Sequence, residues 1–216
     1  MHLKRESAPK NWPIYRKGTK YIIRPGANAE SSIPLLIVLR DILHVVQNRK
    51  EAKKVIFLKH IFVNGKIPRD EKNPVLLFDI ISLAPSEKNY RLDLSEKGKF
   101  ELKEVNKKDV GRKIAKIIDK KILRGRKIQL NLQDGRNILS DMKCAVNDSV
   151  FVNLIDKKVE RCLPLKENAR AFVFSGKHTG KRGKIISFNK NKNIVEIEKS
   201  DGEKFSVLIK QIMIIE

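Results

Sequence analysis

Asn48-Arg49-Lys50-Glu51-Ala52-Lys53-Lys54-Val55-Ile56, followed by Ile61-Phe62-Val63-Asn64-Gly65-Lys66-Ile67, is the stretch that decides how the chain is read. Its first half carries two helix signals. Asn48 suits an N-cap, and Glu51 stands three residues on, where a capping box places its acid. Ala52, Val55, Ile56 and Lys59 then share one face, while Arg49, Lys50, Lys53 and Lys54 crowd the first turns. Like charges there repel one another and the positive end of the helix dipole, so the arrangement asks for an anionic partner. The second half is a hairpin. Asn-Gly favours the two-residue type I′ turn, because both central residues need positive φ.

Upstream, Ser31-Ser32-Ile33-Pro34 is a helix-start signal, a hydroxyl cap with Pro in the first turn. Leu35, Leu36, Leu39, Ile42, Leu43 and Val46 then recur at helical spacing. Downstream of Pro68, Arg69 and Asp70, residues 75–83 read as one further strand around Asp79-Ile80-Ile81. Two helices and a basic hairpin make a small unit over 33–85, within the size of domains that fold alone.

Residues 1–32 read as a basic arm. Lys4, Arg5, Lys10, Arg16, Lys17, Lys20 and Arg24 face only Glu6 and Glu30, and Pro9, Pro13, Pro25, Gly18 and Gly26 interrupt any period. Such a segment is expected to bury too little apolar surface to fold alone and to order on a partner. Trp12, Tyr15 and Tyr21 offer it flat faces for docking or stacking.

Residues 86–164 are strand-like, with turns at Lys97-Gly98, Arg124-Gly125 and Asp134-Gly135. Ile128-Gln129-Leu130-Asn131-Leu132 alternates as a half-buried antiparallel strand does. Residues 107–122 fit either an amphipathic helix (Val110, Ile114, Ile117, Ile118, Ile122) or a β-branched strand, and Gly111 does not decide between them. Residues 165–216 read as short strands about ten residues apart, which suggests a small barrel. They run through Ala171-Phe172-Val173-Phe174, Lys184 to Phe188, a turn at Asn189 to Asn193, Ile194 to Glu198, Phe205 to Ile209, and the terminal Ile212 to Ile215.

Charge points to the partner class. Among 216 residues, 47 Lys+Arg stand against 25 Asp+Glu, a net +22 spread along the whole chain, which favours nucleic acid over an anionic membrane. The longest apolar run, Leu35 to Leu39, falls far short of a membrane span, and the N-terminus shows no apolar signal region, so a cytoplasmic protein is expected. The four histidines lie scattered, and Cys144 and Cys162 lack ligand spacing, so no metal, no cofactor and two free thiols are expected. No nucleophile motif appears, and an enzyme is not expected.

Gly176-Lys177-His178-Thr179-Gly180-Lys181-Arg182-Gly183 superficially suggests a phosphate-binding P-loop. Three residues rather than four precede Gly180-Lys181, Arg182 replaces the magnesium-binding hydroxyl, and the context is strand–loop–strand. The loop matches a KOW motif instead, with Lys177, His178, Lys181 and Arg182 set to meet RNA phosphates.

In order along the chain, these parts resemble the archaeal and eukaryotic ribosomal protein S4e family. His2-Leu3-Lys4-Arg5, Ala8-Pro9 and Trp12 are similar to its opening. Pro34-Leu35, Arg40-Asp41, the run from Asn48 to Lys54, Val63-Asn64-Gly65-Lys66 and Asp79-Ile80-Ile81 resemble its S4-type domain. Gln129-Leu130 and Asp134-Gly135-Arg136 resemble its central domain, and the KOW loop holds the family's C-terminal position. Pro25-Gly26-Ala27-Asn28 matches only partly.

The resemblance implies an α+β, multi-domain protein: a basic arm (1–32), a small S4-type RNA-binding domain (33–85), a central mostly-β domain (86–164) and a C-terminal SH3-like β-barrel with the KOW motif (165–216). It implies a constituent of the small ribosomal subunit whose partners are small-subunit ribosomal RNA and neighbouring ribosomal proteins. The expected RNA contacts are Lys4, Arg5, Lys10, Arg16 and Lys17 on the arm; Arg49, Lys50, Lys53, Lys54, Lys66 and Arg69 on the helix and hairpin; and Lys177, His178, Lys181 and Arg182 on the loop. The competing reading is a KOW-containing transcription or RNA-processing factor, which would share the loop but not the arm.

Overall fold

Antiparallel strand pairing builds most of the chain. The computed structural model describes residues 2–189 and 193–215, apart from the side chains at 108 and 126. It divides into two units, one formed by residues up to 95 with 99–111, the other by 96–98 with 112–216. Helix longer than a single turn occurs, among the described residues, only in the first unit.

The first unit centres on a four-stranded sheet in the spatial order Ile61–Val63, Ile80–Leu83, Lys88–Leu94, Phe100–Glu104. This sheet runs across residue 85, so the segment after the sequence-based boundary pairs with strands before it. The expected strand over 75–83 is two strands, Pro74–Leu76 and Ile80–Leu83. Phe78 at φ 63° turns the chain between them, and Asp79 accepts the Leu76 N–H at 2.8 Å. An Asp-based turn without Gly or Pro is hard to see in a sequence. The Asn64-Gly65 turn forms, with φ of 53° and 73°. Its outgoing arm makes only the Val63–Lys66 bridge, because Asn64 bonds Ile80 instead: N–H to O at 2.8 Å and Oδ1 from N–H at 3.0 Å.

The first helix also departs from expectation. Ser32–Pro34 is a strand, Leu35–Ile37 one α turn, and Val38–Ile42 a π turn closed by Leu43 N–H to Val38 O at 3.0 Å. The Ser31 and Ser32 hydroxyls do not cap it; both donate to Asn28 O. Its first free donors, the Leu35 and Leu36 N–H groups, bond Asn73 O and Glu71 O, each at 3.0 Å, so the cap is tertiary. Leu35 to Leu39 are all buried, so the run is a core plug rather than an amphipathic face, and the chain leaves the helix at His44 with φ 54°.

The arm is folded, against expectation. Leu3–Lys4 pairs with Tyr21–Ile22, and Trp12 is 2% exposed with its indole N–H donating to Ser32 O at 3.0 Å. Phe100 N–H bonds Asn11 O at 2.8 Å. The segment is poor in apolar residues, but one Trp inserted into the unit supplies the burial that the segment lacks alone.

The second unit holds two five-stranded sheets. In the first, Arg112–Ile122 lies centrally between Ile128–Leu132 and Ser149–Asn153, flanked by Asn137–Leu139 and Lys158–Leu163. The ambiguous stretch is therefore strand, with only Lys107–Asp109 forming a helical turn. Lys113 and Lys116 disguised it, because both are buried, on opposite faces of the strand. Lys113 reaches Asp134 at 3.2 Å, and Lys116 donates to the carbonyls of Ile209 and Ile212. Ile128–Leu132 is the expected half-buried strand, with Leu130 and Leu132 in a core shared by Ala115, Ile117, Ile138 and Val150. Both thiols are free.

The second sheet runs Lys204–Leu208, Ile194–Glu198, Arg182–Asn189, Arg170–Val173, Ile212–Ile214, antiparallel throughout. Val173, Ile185, Val195, Ile197, Phe205 and Val207 fill its core. The turn expected at 189–193 lies largely outside the described residues. Among the described residues, no helix is long and apolar enough to cross a membrane.

Candidate nucleic-acid interface

The helix Arg49–Phe57 starts as its sequence requires. Asn48 Oδ1 accepts the Glu51 N–H at 3.0 Å, and Glu51 reaches back to the Gln47 N–H at 2.7 Å, one residue beyond the usual capping-box partner. Ala52 and Ile56 are buried, which turns Lys50, Lys53 and Lys54 outward. None of these three makes an ion pair or side-chain hydrogen bond among the described residues. Arg49 differs. Its guanidinium donates to the buried Glu71 carboxylate at 2.8 and 2.5 Å, tying the helix start to the loop that carries Arg69. Burial pushes the Glu71 carboxyl up, but its backbone hydrogen bond, Arg49 and the charge of Lys53 hold it below the ordinary glutamate value.

Lys66 and Arg69 are exposed and unpaired among the described residues. So are Lys10, Arg16 and Lys17 on the arm, whereas Lys4 lies 3.9 Å from Glu6. Arg5 serves the fold. Its guanidinium bonds Thr19 O at 2.7 Å, Tyr15 O at 2.8 Å and Thr19 Oγ1 at 2.9 Å, closing the loop 15–19.

Backbone hydrogen bonds close the loop 176–183. Val173 N–H bonds Lys181 O at 3.0 Å, and Gly180 N–H bonds Val173 O at 2.8 Å. A side chain at Gly183 would place Cβ 2.3 Å from Glu198 O, so the neighbouring backbone leaves room only for glycine. Three of the loop's four basic side chains have partners within the unit. The His178 ring stacks on Phe205 at 4.8 Å, and the Lys181 ammonium lies 5.1 Å from the same ring and 2.9 Å from Glu203. The Lys181 hydrogen bond, and then its charge, lower the Glu203 carboxyl's pKa. Arg182 sits 5.1 Å over Phe172. Lys177 alone of the four is exposed and unpaired among the described residues. The context is strand–loop–strand, with no helix to receive a nucleotide phosphate.

The sequence reading passed over Phe57, which is 84% exposed beside Lys53 and Lys54. Its position off the Ala52–Val55–Ile56 face was the available signal. Trp12, expected to offer a stacking face, is core instead.

Comparison with known proteins places this arrangement. Residues 1–27 match the RS4NT domain, and residues 86–159 match the ribosomal family S4e. Small ribosomal subunit protein eS4 of Methanocaldococcus jannaschii is 37% identical over 222 residues, 96% of this chain and 90% of that protein. The chain belongs to the ribosomal S4e family. The eS4 protein of Caldivirga maquilingensis is also 37% identical, over 96% of this chain and 92% of its own. The crystal structure of the 30S ribosomal protein S4e from Thermoplasma acidophilum superposes with a TM-score of 0.71 at 26% identity, covering 86% of this chain and 95% of that one. Within the S4e framework, the basic residues divide into those that stand free on the helix and arm and those engaged by the fold itself.

Proposed function

We propose that the chain is a structural constituent of the small ribosomal subunit and binds small-subunit ribosomal RNA without catalysing a reaction. The observation that carries this reading is the unpaired row Lys50, Lys53 and Lys54 on a well-capped helix, in a chain of net charge +22. Phosphate is the counter-charge that such a row lacks, and its neutralisation releases condensed cations. The names of the relatives, all small ribosomal subunit proteins, support the same assignment.

In this reading the first unit holds an S4-type RNA-binding domain that includes the folded arm. The last fifty residues form an SH3-like module whose KOW loop makes a second anchor. RNA is recognised by backbone and shape, since side chains cannot enter the deep A-form major groove. Neighbouring ribosomal proteins are the other partners, and the protein resides on cytoplasmic ribosomes.

Sucrose-gradient sedimentation tests the assignment, with the tagged protein expected in the small-subunit peak. Filter binding to small-subunit RNA should show log K falling with log[salt] at a slope of about −5 or steeper. Migration with RNA polymerase or processing complexes would favour the alternative factor, and a slope near −1 would remove the electrostatic basis.

A further inference from the structure

The folded arm borders an open-sided cavity of about 600 Å³ in the first unit, lined by residues between 2 and 24, by the helix that begins at Leu35, and by Arg49 and Lys72. That volume suits a small ligand rather than a helix or a strand. Three chemistries meet in its lining. Ile22 and Leu36 supply an apolar floor, Tyr15 and Tyr21 supply aromatic rings, and Lys17 and Lys72 supply cations. Neither lysine has a side-chain ion pair or hydrogen bond among the described residues.

The Tyr15 side is held ready. Arg5 bonds the carbonyls of Tyr15 and Thr19, and Gly18 at φ 138° lets the loop pass within van der Waals reach of that guanidinium. Tyr15 itself is 89% exposed. Opposite, the Arg40 guanidinium is fixed by Asp41 at 2.9 Å, so the wall offers both donors and an acceptor.

A simple anion would use the lysines and leave the rings and floor without purpose. An apolar ligand would leave the lysines uncompensated. A planar heterocycle attached to phosphate uses all three. We propose that this cavity receives a single unpaired nucleotide of the bound RNA, its base stacked on Tyr15 and its phosphate between Lys17 and Lys72. The inference rests on the RNA-binding reading above and adds a strand preference to it. Paired bases are stacked inside a duplex and cannot enter a cavity, whereas an unpaired one can be splayed out.

Fluorescence anisotropy with a labelled single-stranded hexa-adenylate, a duplex of equal length and AMP as competitor tests it on the full chain. The native protein should prefer the single strand. Tyr15→Ala should weaken single-strand binding about tenfold, as loss of one base–aromatic stack does, and change duplex binding by less than about twofold. Tyr15→Phe should restore it, which a merely structural role of the hydroxyl would not do. Because the ring is exposed, the variants should keep the native circular dichroism and melting temperature. Equal losses for both RNAs, or none for either, would overturn the pocket while leaving general RNA binding standing. AMP competing as well as the hexamer would identify a free-nucleotide pocket and overturn the strand assignment. Absence of binding to either RNA and to small-subunit RNA would overturn both readings.

Discussion

The helix Arg49–Phe57 and the loop 176–183 each carry four basic side chains, Arg49, Lys50, Lys53 and Lys54 against Lys177, His178, Lys181 and Arg182. On the helix one of the four is engaged, by Glu71; on the loop three are, by Phe205, Glu203 and Phe172. The two runs are hard to tell apart by composition. A free ammonium adds its full charge to a phosphate contact. One already shared with a carboxylate must first be released, and its neighbour's negative charge remains nearby. On the RNA-binding proposal, the helix would contribute more charge to a phosphate contact than Lys181 of the loop, which is shared with Glu203.

The largest expected effect breaks the scaffold on the helix side. Trp12→Ala should destabilise the first unit by about 3–5 kcal/mol, the usual cost of emptying a core site of a large aromatic ring. The melting transition of the second unit should be preserved. If the whole change were below about 1 kcal/mol, the arm would not be part of the core.

Next comes a cation placed wholly inside the second unit. Burial lowers the Lys116 ammonium from 10.5 to about 8, while two carbonyl acceptors hold its proton at neutral pH. Between about pH 8 and 10.5 the unfolded chain keeps a proton that the folded chain has released, so stability should rise with pH across that window, by up to about 3 kcal/mol. Urea titrations at several pH values should show the rise, and Lys116→Met should abolish it.

Replacing Lys50, Lys53 and Lys54 with Gln tests the helix directly. RNA affinity should fall about a hundredfold at low salt, with a salt slope shallower by about 3. The melting temperature should stay level or rise slightly, since removing like charges from an exposed first turn costs the fold nothing. Unchanged affinity at matched salt would show that this face is merely solvated. The smallest effect belongs to the loop. Glu203→Gln releases Lys181 and should strengthen RNA binding by about two- to threefold, with stability nearly unaffected, as is usual for exposed pairs.

Local signals were legible where their chemistry is local. The Asn48 cap on the Glu51 N–H, the Asn64-Gly65 turn (without the paired outgoing strand) and the alternation of Ile128–Leu132 all form. What failed depended on distant partners. The helix at Leu35 is capped by residues 71–73, and the strand Arg112–Ile122 hides its period because Lys113 and Lys116 find acceptors far along the chain. The arm folds through Trp12 and Ser32, twenty residues apart. The site divided in the same way. Which residues are basic is plain from the sequence; which of them stand free depends on Glu71, Phe172, Glu203 and Phe205, and only the fold brings those into contact.

Glu71 has a consequence for the order of assembly. Its carbonyl closes the start of the helix at Leu35, and its carboxylate clamps Arg49 at the start of the next. A helix as short as the first does not persist in isolation, because nucleation costs more than one or two turns return. The start of the first helix is therefore completed only when residue 71, downstream of both helices, packs back against it. The second has its own cap at Asn48 and gains from Glu71 a tie to the first. Joining the two is a non-local step that closes a loop of more than twenty residues.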